Sequence, residues 1–119
     1  MSLKDQILAS TETETLEQYI GDHKFDVLAC GHTHVQLLRR LKGKTIVGVG
    51  SVGMPFVSPY DGSGPPRIFK RSEYAIIDLS KGFSAELRQI PYDFEAYRER
   101  VTRSSMPFRD WWCEQWIDT

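Results

Sequence analysis

Residues 26–34 read Asp26-Val27-Leu28-Ala29-Cys30-Gly31-His32-Thr33-His34. A short apolar run therefore ends abruptly at a glycine, and two histidines with one residue between them follow it. We predict a buried strand over residues 25–30 and a tight loop directly after it. Gly31 lets the backbone turn sharply at that point and approach a ligand closely.

The two histidines are the candidate functional residues. Imidazole is the commonest metal ligand in proteins near neutral pH. Side chains two positions apart on a strand point to opposite faces, whereas in a loop beyond the strand end both can turn toward one site. With nine glycines and three histidines in 119 residues, a chance Gly-His-X-His is rare. We interpret His32 and His34 as metal ligands; the alternative is two histidines without a ligand role.

The residues after the pair argue against several other families that use His-X-His. A metallo-β-lactamase pattern needs Asp and His right after the pair, at positions where this chain has Gln36 and Leu37. A cupin needs a glutamate a few residues on, and residues 38–40 are Leu-Arg-Arg. Amidohydrolase barrels need a far longer chain.

Residues 26–34 resemble the last metal motif of the calcineurin-like metallophosphoesterases, a strand followed by Gly-His-X-His. That family continues with a hairpin and a strand that ends in a Gly-Ser loop, which corresponds to residues 45–53 with Gly50 and Ser51. Val49 departs from the pattern, since many small bacterial members have Asn-Pro before the Gly-Ser. The resemblance covers roughly residues 3–97, and Gly-His-Thr-His is its only highly specific motif.

The resemblance implies a two-metal site that hydrolyses phosphate esters. His32 would bind one divalent ion and His34 the other, and Mn, Fe or Zn would suit imidazole ligands. Two such metals clamp the phosphoryl oxygens and activate a bound water for in-line attack. The substrate would be a phosphomonoester or a phosphodiester.

The family's other ligand motifs do not occur in this chain. Asp-X-His is absent, and Gly-Asn-His, which carries the family's general acid, cannot occur because the chain has no asparagine. Gly21-Asp22-His23 contains Gly-Asp but lies too close to Gly31 and fits the end of a helix better. We therefore expect residues 1–119 to be the C-terminal portion of a single metallophosphoesterase domain, and expect no hydrolysis by this chain alone.

The fold expected from this resemblance is α/β, one half of a four-layer α-β-β-α sandwich. The alternative function is a non-catalytic protein-binding or assembly module on the same type of fold. The missing ligands and the aromatic C-terminal segment with Trp111, Trp112 and Trp116 motivate that alternative. Possible partners are a second copy of the chain or a complementing N-terminal half. Packing of the tryptophans on their own chain is the other explanation of the aromatic segment.

Periodicity and turn residues predict the remaining elements. A helix is expected over residues 3–21, with a possible fresh start at a Thr11–Glu14 capping box. Residues 35–41 are either irregular or a strand. Strands are expected over residues 45–49, 73–79 and 83–92, the last two forming a hairpin after a long loop over residues 54–72. Asp93 caps a further helix, and a short aromatic helix is expected within residues 106–117.

Composition narrows the possible partners and the compartment. The net charge of −1 gives no electrostatic drive toward nucleic acid or anionic lipid. No apolar run approaches the length of a membrane span, and the N-terminus has no long apolar signal segment. The two cysteines, Cys30 and Cys113, require no disulfide, and Cys30 is expected in the core. We expect a cytoplasmic protein without a membrane or nucleic-acid partner.

Overall fold

A computed structural model describes residues 5–118 as a mixed α/β structure, which confirms the predicted fold class at that level. Its elements, in chain order, are α1 (Thr13–Ile20), β1 (Val27–Cys30), β2 (Gln36–Leu41), β3 (Lys44–Val49), β4 (Ile68–Phe69), β5 (Arg71–Asp78), β6 (Ser84–Pro91), α2 (Phe94–Arg103), α3 (Arg109–Cys113) and β7 (Trp116–Ile117).

The first sheet has three strands in the order β1-β3-β2. β1 runs parallel to β3, with Cys30 opposite Gly48, and β2 runs antiparallel to β3. Residues 35–41, left open from sequence, are thus mostly a strand. β2 and β3 are joined at Lys42 and Gly43, whose φ angles of 47° and 80° suit a tight hairpin turn. Because β1 and β3 are parallel, the loops that follow them lie at the same end of the sheet.

The prediction that β1 is buried is wrong. Ala29 is exposed and the other three residues of β1 are only half-buried. The reason is position: β1 lies at the edge of the sheet and has β3 as its one neighbour. An apolar run does not reveal whether a strand lies at the centre or the edge of its sheet.

Helix α1 covers one face of this sheet, where Leu16 and Ile20 pack against Ile46. The predicted helix over residues 3–21 begins too early: residues 3–4 lie outside the described residues, and residues 5–12 are not helical. The predicted capping box is also wrong. A capping box uses the amide three residues after the capping residue, whereas the Thr11 hydroxyl accepts a hydrogen bond at 2.9 Å from the amide of Leu8, three residues before it. The helix ends, as predicted, at Gly21, which has a φ of 55°.

The second half of the chain is built on a hairpin and an aromatic core. β5 and β6 pair antiparallel from Arg71 opposite Pro91 to Asp78 opposite Ser84, which confirms the predicted hairpin. The predicted long loop is partly wrong, because β4 lies within it and pairs with β7. Two-residue strands among prolines and glycines leave no periodic signal in the sequence.

The aromatic core lies under α2, where Phe94, Ile68 and Trp116 are buried together. Asp93 caps α2 as predicted, its carboxylate accepting a hydrogen bond from the Ala96 amide at 3.0 Å. The short C-terminal helix is confirmed as α3 but ends at Cys113, because the chain then extends into β7.

Two further expectations concern the cysteines and the membrane. Cys30 and Cys113 are both free thiols, and Cys30 packs against the core beside α1, as predicted. Within residues 5–118, no helix combines the length and the apolar character that crossing a bilayer requires.

Candidate metal centre

The candidate site lies at the end of the sheet formed by the carboxyl ends of β1 and β3. We call residues 31–35, which follow β1, the histidine loop, and residues 50–54, which follow β3, the Gly50 loop. His32 is exposed on the histidine loop and His34 is half-buried. The sequence therefore predicted correctly that both histidines lie in a loop beyond a strand end.

The backbone of the histidine loop is strained at both candidate ligands. His32 has a φ of 76° and His34 a φ of 57°, within the left-handed region. For residues other than glycine this conformation costs about 1–2 kcal/mol per residue. Such residues concentrate at functional sites, where the surrounding structure holds them in place. The strain falls on the two residues that the sequence marks as ligands.

The ring of His34 is held by specific contacts. Its Nδ1 lies 2.9 Å from the main-chain carbonyl oxygen of Met54. Because a carbonyl only accepts, Nδ1 carries the hydrogen in this bond and Nε2 keeps its lone pair free. The ring also lies against Phe56, with centroids 4.6 Å apart, and the Phe56 amide donates to the His34 carbonyl at 2.9 Å. Metal-binding histidines commonly donate their second ring N–H to a backbone carbonyl in this way.

The Gly50 loop places the Met54 carbonyl. The Ser51 hydroxyl accepts a hydrogen bond from the Met54 amide at 3.0 Å, and the Ser51 carbonyl accepts one from the Glu73 amide on β5 at 3.0 Å. Gly50 has a φ of 79°, and a Cβ there would lie 2.6 Å from the Glu73 carboxylate. Only glycine fits this position without displacement of its neighbours.

Glu73 is the buried charge behind the loop. Its side chain is 3% exposed, and one carboxylate oxygen accepts hydrogen bonds from the Nε and Nη2 of Arg71 at 2.9 and 2.6 Å. The Arg71 guanidinium also lies 3.9 Å from the centre of the Phe69 ring. Sequence reasoning missed Met54 and Glu73, since neither carries a motif and both reach the site through tertiary contacts.

The described residues bring only two imidazoles to this end of the sheet. Within residues 5–118, no group of three or more His, Cys, Asp or Glu side chains lies close enough together to hold a metal ion. His23 is exposed beyond the end of α1, and burial raises the pKa of the Cys30 thiol, which packs in the core. The imidazole donors fit Zn, Mn or Fe, but a catalytic site normally has at least three protein ligands for each metal.

No protein-family model matches the chain, and no curated protein matches it either. The interpretation of this site therefore depends on the geometry of the two loops and on the resemblance of residues 26–34.

Proposed function

We propose that this chain is the C-terminal portion of a metal-dependent phosphoesterase domain, in which His32 and His34 each bind one of two divalent ions. The observation that carries the proposal is His34: it lies in Gly-His-X-His at a strand end, and its Nδ1 is engaged by the Met54 carbonyl at 2.9 Å. That bond leaves the lone pair of Nε2 free to bind a metal. The four-layer α-β-β-α sandwich is part of the same proposal.

When bound there, divalent metals would supply the charge that stabilises the phosphoryl group and would activate water as the nucleophile. The role of this chain is to hold and orient its two imidazoles at the end of the sheet formed by the carboxyl ends of β1 and β3. The remaining ligands and the general acid come from another segment. The substrate class is a phosphate ester, either a monoester or a diester.

The large exposed area of the chain supports the proposal that it is part of a larger domain. It exposes 8251 Å², whereas a folded monomer of this size exposes about 6600 Å². Its radius of gyration is 16.7 Å, against about 13.5 Å for a compact domain of this length. On the sheet face opposite α1, Ala29 is exposed and Leu38 is 54% exposed, whereas Val47 between them is fully buried, so the face is open only along its two outer strands. A further layer on this face is what a sandwich would supply.

The test is hydrolysis of chromogenic phosphomonoesters and phosphodiesters with Mn²⁺. The chain is assayed alone and together with a separately produced segment that carries the missing Asp-X-His and Gly-Asn-His motifs. We expect no turnover by the chain alone and metal-dependent turnover by the combination. His32→Ala and His34→Ala should abolish that turnover, whereas the control His23→Ala should leave it unchanged. Turnover that survives both site substitutions would contradict the proposal.

A second candidate function is an assembly module, and the exposed aromatics at α3 favour it. Trp116 is buried and Trp112 donates to the Tyr97 hydroxyl at 3.1 Å, so these two pack on their own chain. Phe108 and Trp111, in contrast, are 82% and 49% exposed. Exposed aromatics are enriched at protein interfaces. Dimerisation in sedimentation that Phe108→Ser abolishes would support this function, and a monomeric wild-type chain at high concentration would contradict self-assembly.

A further inference from the structure

We infer that Ser51 is a positioning residue for His34: its hydroxyl fixes Met54, and the Met54 carbonyl then holds the imidazole in the Nδ1–H tautomer. The significance of the free Nε2 rests on the proposed function, in which that nitrogen binds a metal. The tautomer itself is a property of this chain and can be measured without any metal.

The first step runs from the hydroxyl to the amide of Met54. Ser51 Oγ lies 3.0 Å from Met54 N, three residues on, and closes a turn over residues 51–54. The Ser51 carbonyl accepts from the Glu73 amide at 3.0 Å, so strand β5 anchors the start of that turn. The hydroxyl therefore ties the Met54 amide to a fixed point on the sheet.

The second step runs from the Met54 amide to its carbonyl. Met54 precedes Pro55, and a residue before proline is restricted to extended conformations. Pro55 is fully buried, and its own carbonyl accepts a hydrogen bond from the Phe69 amide at 2.9 Å. With the amide held by Ser51 and the following residue held in the core, the direction of the Met54 carbonyl is fixed.

The third step is the bond from that carbonyl to the ring. The oxygen lies 2.9 Å from His34 Nδ1 and cannot donate, so it selects the tautomer with hydrogen on Nδ1. Phe56 lies against the ring and prevents it from rotating freely. Loss of the hydroxyl leaves the Met54 amide without its acceptor, and the carbonyl then no longer selects one tautomer.

The experiment is nitrogen-15 NMR of the metal-free chain labelled at histidine, above the imidazole pKa. Two-bond proton–nitrogen correlations show which ring nitrogen carries the hydrogen. We expect the Nδ1–H tautomer for His34 in the wild type and a mixture of tautomers in Ser51→Ala. Ser51→Thr, which keeps a hydroxyl, should restore the wild-type pattern. The matched control is Ser58→Ala, an exposed serine in the segment that follows the Gly50 loop, which should change nothing.

The same four proteins are then titrated with Zn²⁺. Substitutions behind a metal-binding histidine typically lower metal affinity 10–100-fold, and we expect about 10-fold for Ser51→Ala because it acts through Met54. Ser51→Thr and Ser58→Ala should bind as the wild type does. Ser51→Gly is a second variant without the hydroxyl, should Ser51→Ala disturb the amide spectrum of the sheet.

The outcomes separate this inference from the proposed function. A pure Nδ1–H tautomer in both hydroxyl-less variants, or the Nε2–H tautomer in the wild type, would overturn the positioning role of Ser51. A tautomer shift in those variants together with no Zn²⁺ binding by the wild type would uphold the positioning role and remove the metal site. A tautomer shift with weakened Zn²⁺ binding supports both.

Discussion

His34 and His32 differ in how firmly the chain holds them. The ring of His34 is fixed by the Met54 carbonyl and by Phe56, whereas His32 is exposed. The sequence predicted the loop, its position after a strand and the two residue types. It could not predict the Met54 bond, which joins residues 20 positions apart and depends on the path of the Gly50 loop.

Gly50 gives a prediction at the scale of one residue. Gly50→Ala places a Cβ 2.6 Å from the Glu73 carboxylate, in a backbone conformation with φ of 79°. Left-handed backbone costs about 1–2 kcal/mol and overpacking about 1–3 kcal/mol. We expect a loss of about 2–5 kcal/mol in the free energy of unfolding, the sum of the two, measured by urea denaturation.

Two other glycines separate the two causes. Gly62 has a φ of 87° and open space around its Cβ position, so Gly62→Ala reports the backbone cost alone. Gly53 has open space and no left-handed φ, so Gly53→Ala should be close to neutral. Equal effects at Gly50 and Gly62 would show that the close contact with Glu73 does not exist in solution.

Strand β5 gives a prediction at the scale of an element, because its buried pair lies behind the site. Glu73→Ala leaves the Arg71 guanidinium without its partner, and Arg71 is only 15% exposed. Breaking a buried pair on one side costs about 3–5 kcal/mol. Since Arg71 is partly exposed, we expect about 3 kcal/mol in urea denaturation.

The matched control for that pair lies on β6. Glu86 pairs with Arg88 at 2.9 Å, but both side chains are well exposed. Exposed pairs contribute little because solvent screens them, so Glu86→Ala should be nearly neutral. A similar loss for both variants would contradict the burial of the Glu73 carboxylate.

Helix α2 gives a second prediction at this scale. Asp93→Ala removes the acceptor of the Ala96 amide, and loss of such a cap costs about 1 kcal/mol. Asp93→Asn keeps an acceptor oxygen and should cost much less. Thermal unfolding followed by circular dichroism measures both, and equal losses would show that the cap does not form.

The two helix starts show what local sequence can predict. Asp93 directly precedes a helical apolar pattern, and the cap bond forms over three residues, so the sequence contains all of it. Thr11 carried a similar signal, but its hydroxyl accepts from Leu8 and its carbonyl accepts from the Arg39 side chain on β2. The hydroxyl is therefore engaged by a residue before the predicted helix start, and Arg39 engages the carbonyl from β2; the Thr11–Glu14 pattern shows neither contact.

At the scale of the whole molecule, the chain exposes more surface than its length warrants. Its radius of gyration is 16.7 Å. We therefore predict that small-angle X-ray scattering gives a radius of gyration well above that of a compact domain. We expect a monomer near 17 Å, about 3 Å above the compact value. A compact monomer near 13.5 Å would contradict the extended shape of the chain. A dimeric mass would favour self-assembly.

The sequence predicted the α/β class of the fold, and the expectation of half a sandwich predicted an open structure, but it could not predict which strands lie at a sheet edge. β1 and β5 both read as ordinary strands, yet β1 lies at a sheet edge and the β5–β6 hairpin forms a sheet of its own. Which strand becomes an edge depends on the partners available to it. That information lies in the tertiary arrangement and not in the residues of the strand.

The central claim is that His32 and His34 bind divalent metal, and Zn²⁺ titration of the purified chain tests it most directly. The matched variants are His32→Ala, His34→Ala and His23→Ala, followed by calorimetry and by the imidazole nitrogen resonances. We predict that Zn²⁺ perturbs Nε2 of His34, and that His32→Ala and His34→Ala each weaken binding more than about 10-fold. His23→Ala should bind as the wild type does. Equal binding by all four proteins, or no perturbation at His34, would contradict the claim.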